Sequence, residues 1–165
     1  MIHTKMIHTT PLGDMTSTWR DDQLFSLDWN TTDTCSEHQG RQGRRLDDRL
    51  QEYFETGRAD FREVPICFDG WSEFHRVVYE RCREIASGAT KTYKQLAIEA
   101  GSPGASRAVG AAMARNRILL VIPCHRVVST GGGLRGFSAP GGLKTKQFLL
   151  DLESKQTRFG LEASC

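Results

Sequence analysis

Ile118, Leu119, Leu120, Val121 and Ile122 form an unbroken apolar run that Pro123 closes. The run is strand-sized, far short of the roughly 18 residues a membrane span needs. Apolar at every position, it reads as a buried strand ending at the proline. A run of that kind needs a core around it, and a chain of 165 residues supplies one or two small domains' worth. With 38% hydrophobic and 25% charged residues, the chain is neither a membrane protein nor a fully disordered one.

The opening segment, MIHTKMIHTTPLG, lacks the apolar stretch of a secretory signal. Met-Ile-His-Thr occurs at Met1 and again at Met6, so either methionine could start translation and the first six residues are expected to carry little structure. The five cysteines, Cys35, Cys67, Cys82, Cys124 and Cys165, are scattered and contain no Cys-x-x-Cys pair. That argues against a disulfide framework and a structural zinc site, and for a reducing, cytoplasmic setting. Charge is divided: residues 1–73 hold 8 Lys/Arg against 14 Asp/Glu, and residues 74–165 hold 14 against 6. A basic half suits a polyanionic partner, nucleic acid first, although two solvated faces of unequal charge give the same count.

The expected class is α+β: an amino-terminal hairpin or small sheet with a helix over residues 1–71, a mainly helical domain over 72–157, and a tail over 158–165. Residues 10–30 read as a hairpin turning at Asp21-Asp22, with Phe25, Leu27 and Trp29 alternating as a half-buried strand. Residues 31–43 read as a loop, and residues 44–56 as a helix stopped by Gly57. Ser72 caps a helix burying Phe74, Val77, Val78, Cys82 and Ile85, with Gly88 ending the segment. Thr92 and Gln95 form a capping box. Gly101 stops that short helix, and Ser102-Pro103 opens the next one, Pro103 at its first position, running to about Asn116. Residues 129–142 form a glycine-rich loop before a last helix that buries Phe148, Leu149 and Leu152.

Helix, short turn, helix over 92–116 is the helix-turn-helix pattern. Its second helix carries Ala105, Ala108, Gly110, Ala111, Ala112 and Ala114, so its backbone can approach a partner closely. Tight packing inside the protein needs the same residues, and both readings stay open at this level. Pro123-Cys124-His125-Arg126 places a thiol beside an imidazole in basic surroundings, a candidate activated nucleophile. In an extended strand adjacent side chains point to opposite faces, so proton transfer from Cys124 to His125 needs a local turn or a bridging water. Glu153 could orient His125 as a third member. Gly131-x-Gly133-x-x-Gly136 matches a dinucleotide fingerprint by letter only, since no helix opens after it.

Taken together, residues 74–153 resemble the O6-alkylguanine-DNA alkyltransferases, also called methylated-DNA–protein-cysteine methyltransferases. The resemblance rests on Thr92-Tyr93 with Gln95-Leu96-Ala97, Gly101-Ser102-Pro103, Arg107 through Ala112, and Asn116. It continues through Ile122-Pro123-Cys124-His125-Arg126-Val127-Val128, Gly136-Phe137-Ser138, Lys146, Leu149-Leu150 and Glu153. Thr10-Pro11-Leu12-Gly13 looks like the family's amino-terminal domain.

The resemblance implies DNA repair by single-use transfer of an alkyl group from O6-alkylguanine to Cys124, with O4-alkylthymine left open as a second lesion. It implies a monomer on the minor groove of double-stranded DNA, with no cofactor, no metal and no membrane. Tyr93, Ala105, Arg107, Ala108, Gly110 and Ala111 would meet DNA, with Arg107 replacing the flipped guanine and Tyr93 helping to rotate it out. His125, through a water, would take the thiol proton, Glu153 would hold the imidazole, and Tyr93 would protonate the departing guanine. Asn116, Pro123, Val127, Val128, Phe137 and Ser138 would shape the pocket. Three features depart from the family pattern: Arg117 where proline is usual, Phe137 for tyrosine, and the added Ala139-Pro140. Cys35 and His38 lie close together without the partners of a zinc site. Two other classes compete, a lesion-binding module with an inactive pocket and a Cys-His hydrolase.

Overall fold

A computed structural model of the chain describes residues 3–29, 40–131, 133 and 141–162, with side chains of the last helix through residue 154. The α+β class holds. An antiparallel sheet in the order β1 (His3–His8), β2 (Met15–Arg20), β3 (Gln23–Asp28) is followed by α1 (Arg41–Thr56). Then come α2 (Glu73–Arg83), β4 (Lys91–Thr92), α3 (Tyr93–Glu99), α4 (Ser106–Ala114), β5 (Val127–Val128) and α5 (Leu143–Glu162).

The β2–β3 turn falls at Asp21-Asp22 as expected, both residues at positive φ (47° and 65°), the geometry that matches strand twist in a tight hairpin. The first residues are not idle: β1 pairs along β2 from His3↔Arg20 to His8↔Met15. The alternation holds at Leu27 and Trp29, both buried, and is broken at Phe25. A register shift between Thr18 and Trp19 sets Leu24, buried, opposite Trp19 and leaves Phe25 half-buried. α1 begins at Arg41, earlier than the glycine-containing stretch suggested, and Gly43 sits in its first turn against β1, where a Cβ would stand 2.9 Å from Met6 Sδ. Gly57 ends it in the left-handed conformation.

Ser72 caps α2, accepting the His75 N–H. The helix stops at Arg83, ahead of Gly88, where Glu84 and Ile85 donate to carbonyls three residues back. Its buried face is Val78, Tyr79 and Cys82, with Phe74 and Val77 half-buried. The Thr92–Gln95 capping box is complete in both directions. α4 begins only at Ser106, because Ala105 N–H donates to Ser102 O and closes a turn that contains Pro103. It ends at Ala114.

The run 118–122 is fully buried but is not a strand. Ile118 bridges Leu27 at the edge of β3, then Val121 N–H returns to Leu119 O and Ile122 N–H to Ile118 O, with Leu120 at φ 67°. Apolar composition specified burial; the backbone bonds are satisfied locally rather than in a ladder. α5 buries Thr145, Lys146, Leu149 and Glu153, leaving Leu152 half-buried and Phe148 exposed, and it continues over residues 158–162 of the expected tail. One hydrophobic core runs from Met15 and Leu24 of the sheet through Leu50 and Tyr53 of α1 to Ile122 and Leu149.

Candidate active site

The buried turn delivers Cys124 at a fixed point. Cys124, His125 and Arg126 form a single 3-10 turn after Pro123, and β5 follows at once. Strand geometry is absent there, so the objection that adjacent side chains point apart does not apply. β5 pairs in parallel with β4, Lys91 with Val127 and Thr92 with Val128, which sets the start of α3 and Tyr93 beside the cysteine turn. Asn116 ties the approach: its Nδ2 donates to Ile122 O at 2.9 Å and its Oδ1 accepts Ile118 N–H at 2.9 Å. Cys124 N–H donates to the same Ile122 carbonyl at 2.8 Å.

Cys124 is 5% exposed, and burial pushes its thiol pKa up. The Asn116 side chain, the Lys146 charge and the N–H groups of Cys124 and His125 oppose that rise. Lys146 is itself buried, donating Nζ to Val127 O at 2.8 Å, and burial lowers its pKa.

His125 Nε2 lies 3.0 Å from Glu153 Oε1. Burial lowers the imidazole pKa while Glu153 opposes the shift, so the ring is neutral at pH 7. For Glu153, burial works to raise the pKa, but His125 and Arg126 outweigh it and hold the carboxyl at about 2. An ionised carboxylate only accepts, so Nε2 carries the proton and Nδ1 the lone pair. His125 Nδ1 is buried and has no hydrogen-bond partner among the described residues. Glu153 Oε1 also accepts from Arg126 Nε at 2.9 Å and Nη2 at 2.5 Å, and from Tyr53 Oη at 3.2 Å. Arg126 is pinned further by Ile85 O and Ser87 Oγ.

Across α4, Arg107, Ala108, Ala111, Ala114 and Arg115 are exposed, while Val109, Ala112 and Met113 face the core. The outward face is therefore small side chains flanked by two arginines. Ala105 is half-buried, and Gly110 is half-buried against the Tyr93 ring, where a Cβ would lie 4.0 Å from Cδ1.

The structure thus brings Cys124, His125, Glu153, Asn116, Pro123, Val127 and Val128 together and sets Tyr93 and α4 beside them. Phe137, Ser138, Ala139 and Pro140 lie outside the described residues, as do Cys35, His38 and Cys165. Among the described residues no cluster of His, Cys, Asp and Glu could hold a metal, and no helix is long and apolar enough to cross a membrane. Sequence reasoning gave no role to Arg126, Lys146 or Tyr53. Lys146 stands two helical turns before Glu153 on one face, a spacing that could have flagged it. Tyr53 sits in the apolar stripe of α1, where nothing distinguishes its hydroxyl from core.

The site is a thiol in a buried turn next to an imidazole bonded to a carboxylate, in a chain whose α4 turns a face of small residues outward. Residues 73–155 match the family model described as "6-O-methylguanine DNA methyltransferase, DNA binding domain". The chain belongs to this family. A methylated-DNA–protein-cysteine methyltransferase from Metallosphaera sedula is 36% identical over 88% of this chain and 90% of its own. One from Methanosarcina barkeri is 40% identical over 67% of each. Among solved structures, the Mycobacterium tuberculosis O6-methylguanine methyltransferase superposes with a TM-score of 0.81 at 29% identity, covering 94% of each chain. The M. tuberculosis OGT in complex with DNA gives 0.77 at 29% identity over 93% of this chain and 94% of its own.

Proposed function

We propose that this chain repairs DNA by taking the alkyl group of O6-alkylguanine onto Cys124, once per molecule. The observation that carries the reading is the buried His125, neutral, bonded through Nε2 to Glu153 and open at Nδ1, on the residue after the thiol. Nδ1 takes the thiol proton through one water, and Glu153 stabilises the imidazolium that forms. The Cys124 sulfur attacks the alkyl carbon, the carbon–O6 bond breaks, the departing guanine takes a proton from the Tyr93 hydroxyl, and the proton held on His125 returns through solvent to the Tyr93 phenolate. The products are S-alkylcysteine and unmodified guanine. A thioether is a poor leaving group, so the protein is consumed.

The target base must leave the stack to reach a thiol that is 5% exposed. The bare face of α4 suits close approach to the minor groove, with Arg107 at its exposed start filling the space of the flipped base. Double-stranded DNA is the partner, and the protein acts as a monomer in the cytoplasm. Phosphate neutralisation by the basic half makes binding weaken linearly on a log–log salt plot.

Intact mass after incubation with O6-methylguanine duplex tests the reading. One methyl gained permanently, mapped to Cys124 and absent in Cys124→Ser, is the expected result. No mass change makes the protein a lesion binder, turnover of an ester or amide makes it a hydrolase, and a methyl on Cys67 or Cys82 removes Cys124 as acceptor.

A further inference from the structure

Arg117 follows Asn116 directly, and its side chain leaves the carboxy-terminal half. Nε donates to Phe25 O at 2.7 Å, and Nη2 donates to Cys67 O and Asp69 O, each at 2.9 Å. The guanidinium lies between two rings, 4.0 Å from the Phe25 centroid and 3.7 Å from that of Trp71. All three acceptors are carbonyls and both faces are aromatic, an arrangement that suits a planar fork and not an ammonium. Backbone bonds run alongside, Leu27 N–H to Arg117 O and Leu119 N–H to Leu27 O, both 2.9 Å. The column continues past Trp71 to Tyr79, whose ring is 4.4 Å away and whose hydroxyl donates to Ala112 O of α4 at 2.6 Å.

This clamp is applied one residue from the side chain that shares the Ile122 carbonyl with Cys124 N–H. We propose that Arg117 is a positioning residue for alkyl transfer: by fixing the chain after Asn116 to the sheet and to residues 67–71, it holds Asn116 in register with the cysteine turn. The proposal rests on Cys124 being the acceptor. A purely structural Arg117 would add stability and leave the thiol unchanged. A positioning Arg117 governs the thiol itself, because Asn116 Nδ2 and Cys124 N–H share the Ile122 carbonyl and a shift of Asn116 is passed to the cysteine turn.

The test uses the full chain, with Arg117→Lys, which keeps the charge but loses the fork and the stack. Arg20→Ala is the control, since Arg20 stacks on Phe25 at 3.7 Å without reaching residue 116. Iodoacetamide alkylation of Cys124, assigned by peptide mass, is followed from about pH 6 to about pH 10 to bracket a thiol. Single-turnover transfer from O6-benzylguanine is followed beside it. Loss of the clamp lets Asn116 shift away from the cysteine turn, so the Arg117→Lys profile should move to higher pH and both reactions should slow about tenfold at neutral pH. Arg20→Ala should melt lower with an unchanged profile. A folded Arg117→Lys with wild-type profile and transfer overturns the proposal. If that variant does not fold, Trp71→Leu removes one stacking face and decides the same way, its wild-type profile being equally fatal. Iodoacetamide reads the thiol whatever its substrate, so a wild-type protein that takes no alkyl group at Cys124 overturns the functional reading while the clamp is still judged on its own.

Discussion

Glu153 Oε1 accepts from His125, Arg126 and Tyr53 at once, so the carboxylate that orients the imidazole also anchors a buried guanidinium. Glu153→Gln therefore does two things. It weakens imidazolium stabilisation, which should slow transfer roughly 10- to 100-fold and move the pH–rate profile to higher pH. It also leaves Arg126 buried without its counter-charge, at a cost of about 3–5 kcal/mol at pH 7. The folded carboxyl titrates at about 2 against 4.5 for the ordinary group, so its stabilisation is present above pH 4.5 and is lost as pH falls toward 2. Urea midpoints of wild type and variant should accordingly converge between neutral and strongly acidic pH. A gap that stays constant with pH would show that Glu153 is not held ionised. Cys124, His125 and Glu153 were legible as a motif and its spacing. Arg126 sat inside the motif without a role, and Tyr53 could not be found, because a hydroxyl adds nothing to the periodicity of an apolar stripe.

At the scale of elements, start and stop signals were readable wherever a side chain or a glycine closes the end: Ser72 on α2, Thr92 with Gln95 on α3, Gly57 after α1. The errors have a common cause. Pro103 before α4 and the apolar run 118–122 both depend on where backbone N–H groups find acceptors, which composition does not state. α4 itself separates cleanly into a buried face and a bare one. Ala111→Leu puts bulk on the bare face at a position with good helix propensity, so the melting temperature should barely move. Duplex binding should fall at least about tenfold, near 1.4 kcal/mol. Unchanged affinity would remove this face from the DNA contact. Arg107→Ala should impair repair in duplex more than attack on free O6-benzylguanine, since only the duplex needs its base replaced. Equal losses on the two substrates would dismiss the intercalating role.

At the scale of the molecule, the sequence reading of an acidic half before a basic one was sound as arithmetic, but it hid how firmly the halves are joined. Arg117 reaches Phe25, Cys67 and Asp69, Tyr53 reaches Glu153, and a single core crosses from the sheet to α5. None of these links leaves a trace in local periodicity, because each joins residues far apart in the chain. They imply one cooperative unfolding unit. The tryptophans permit a direct check: Trp19, Trp29 and Trp71 all belong to the first 71 residues, while Cys124 is buried in the other half. Fluorescence then reports the first half together with its seam at Trp71, which packs on Arg117 and Tyr79, and the rate at which a thiol reagent reaches Cys124 reports the second. In urea the two signals should change at the same midpoint in wild type. Arg117→Lys should lower that midpoint and, by loosening one of these ties, begin to separate the two curves. Well-separated transitions in the wild type would mean that the halves unfold independently and that the arginine clamp and the Tyr53–Glu153 bond carry little of the coupling.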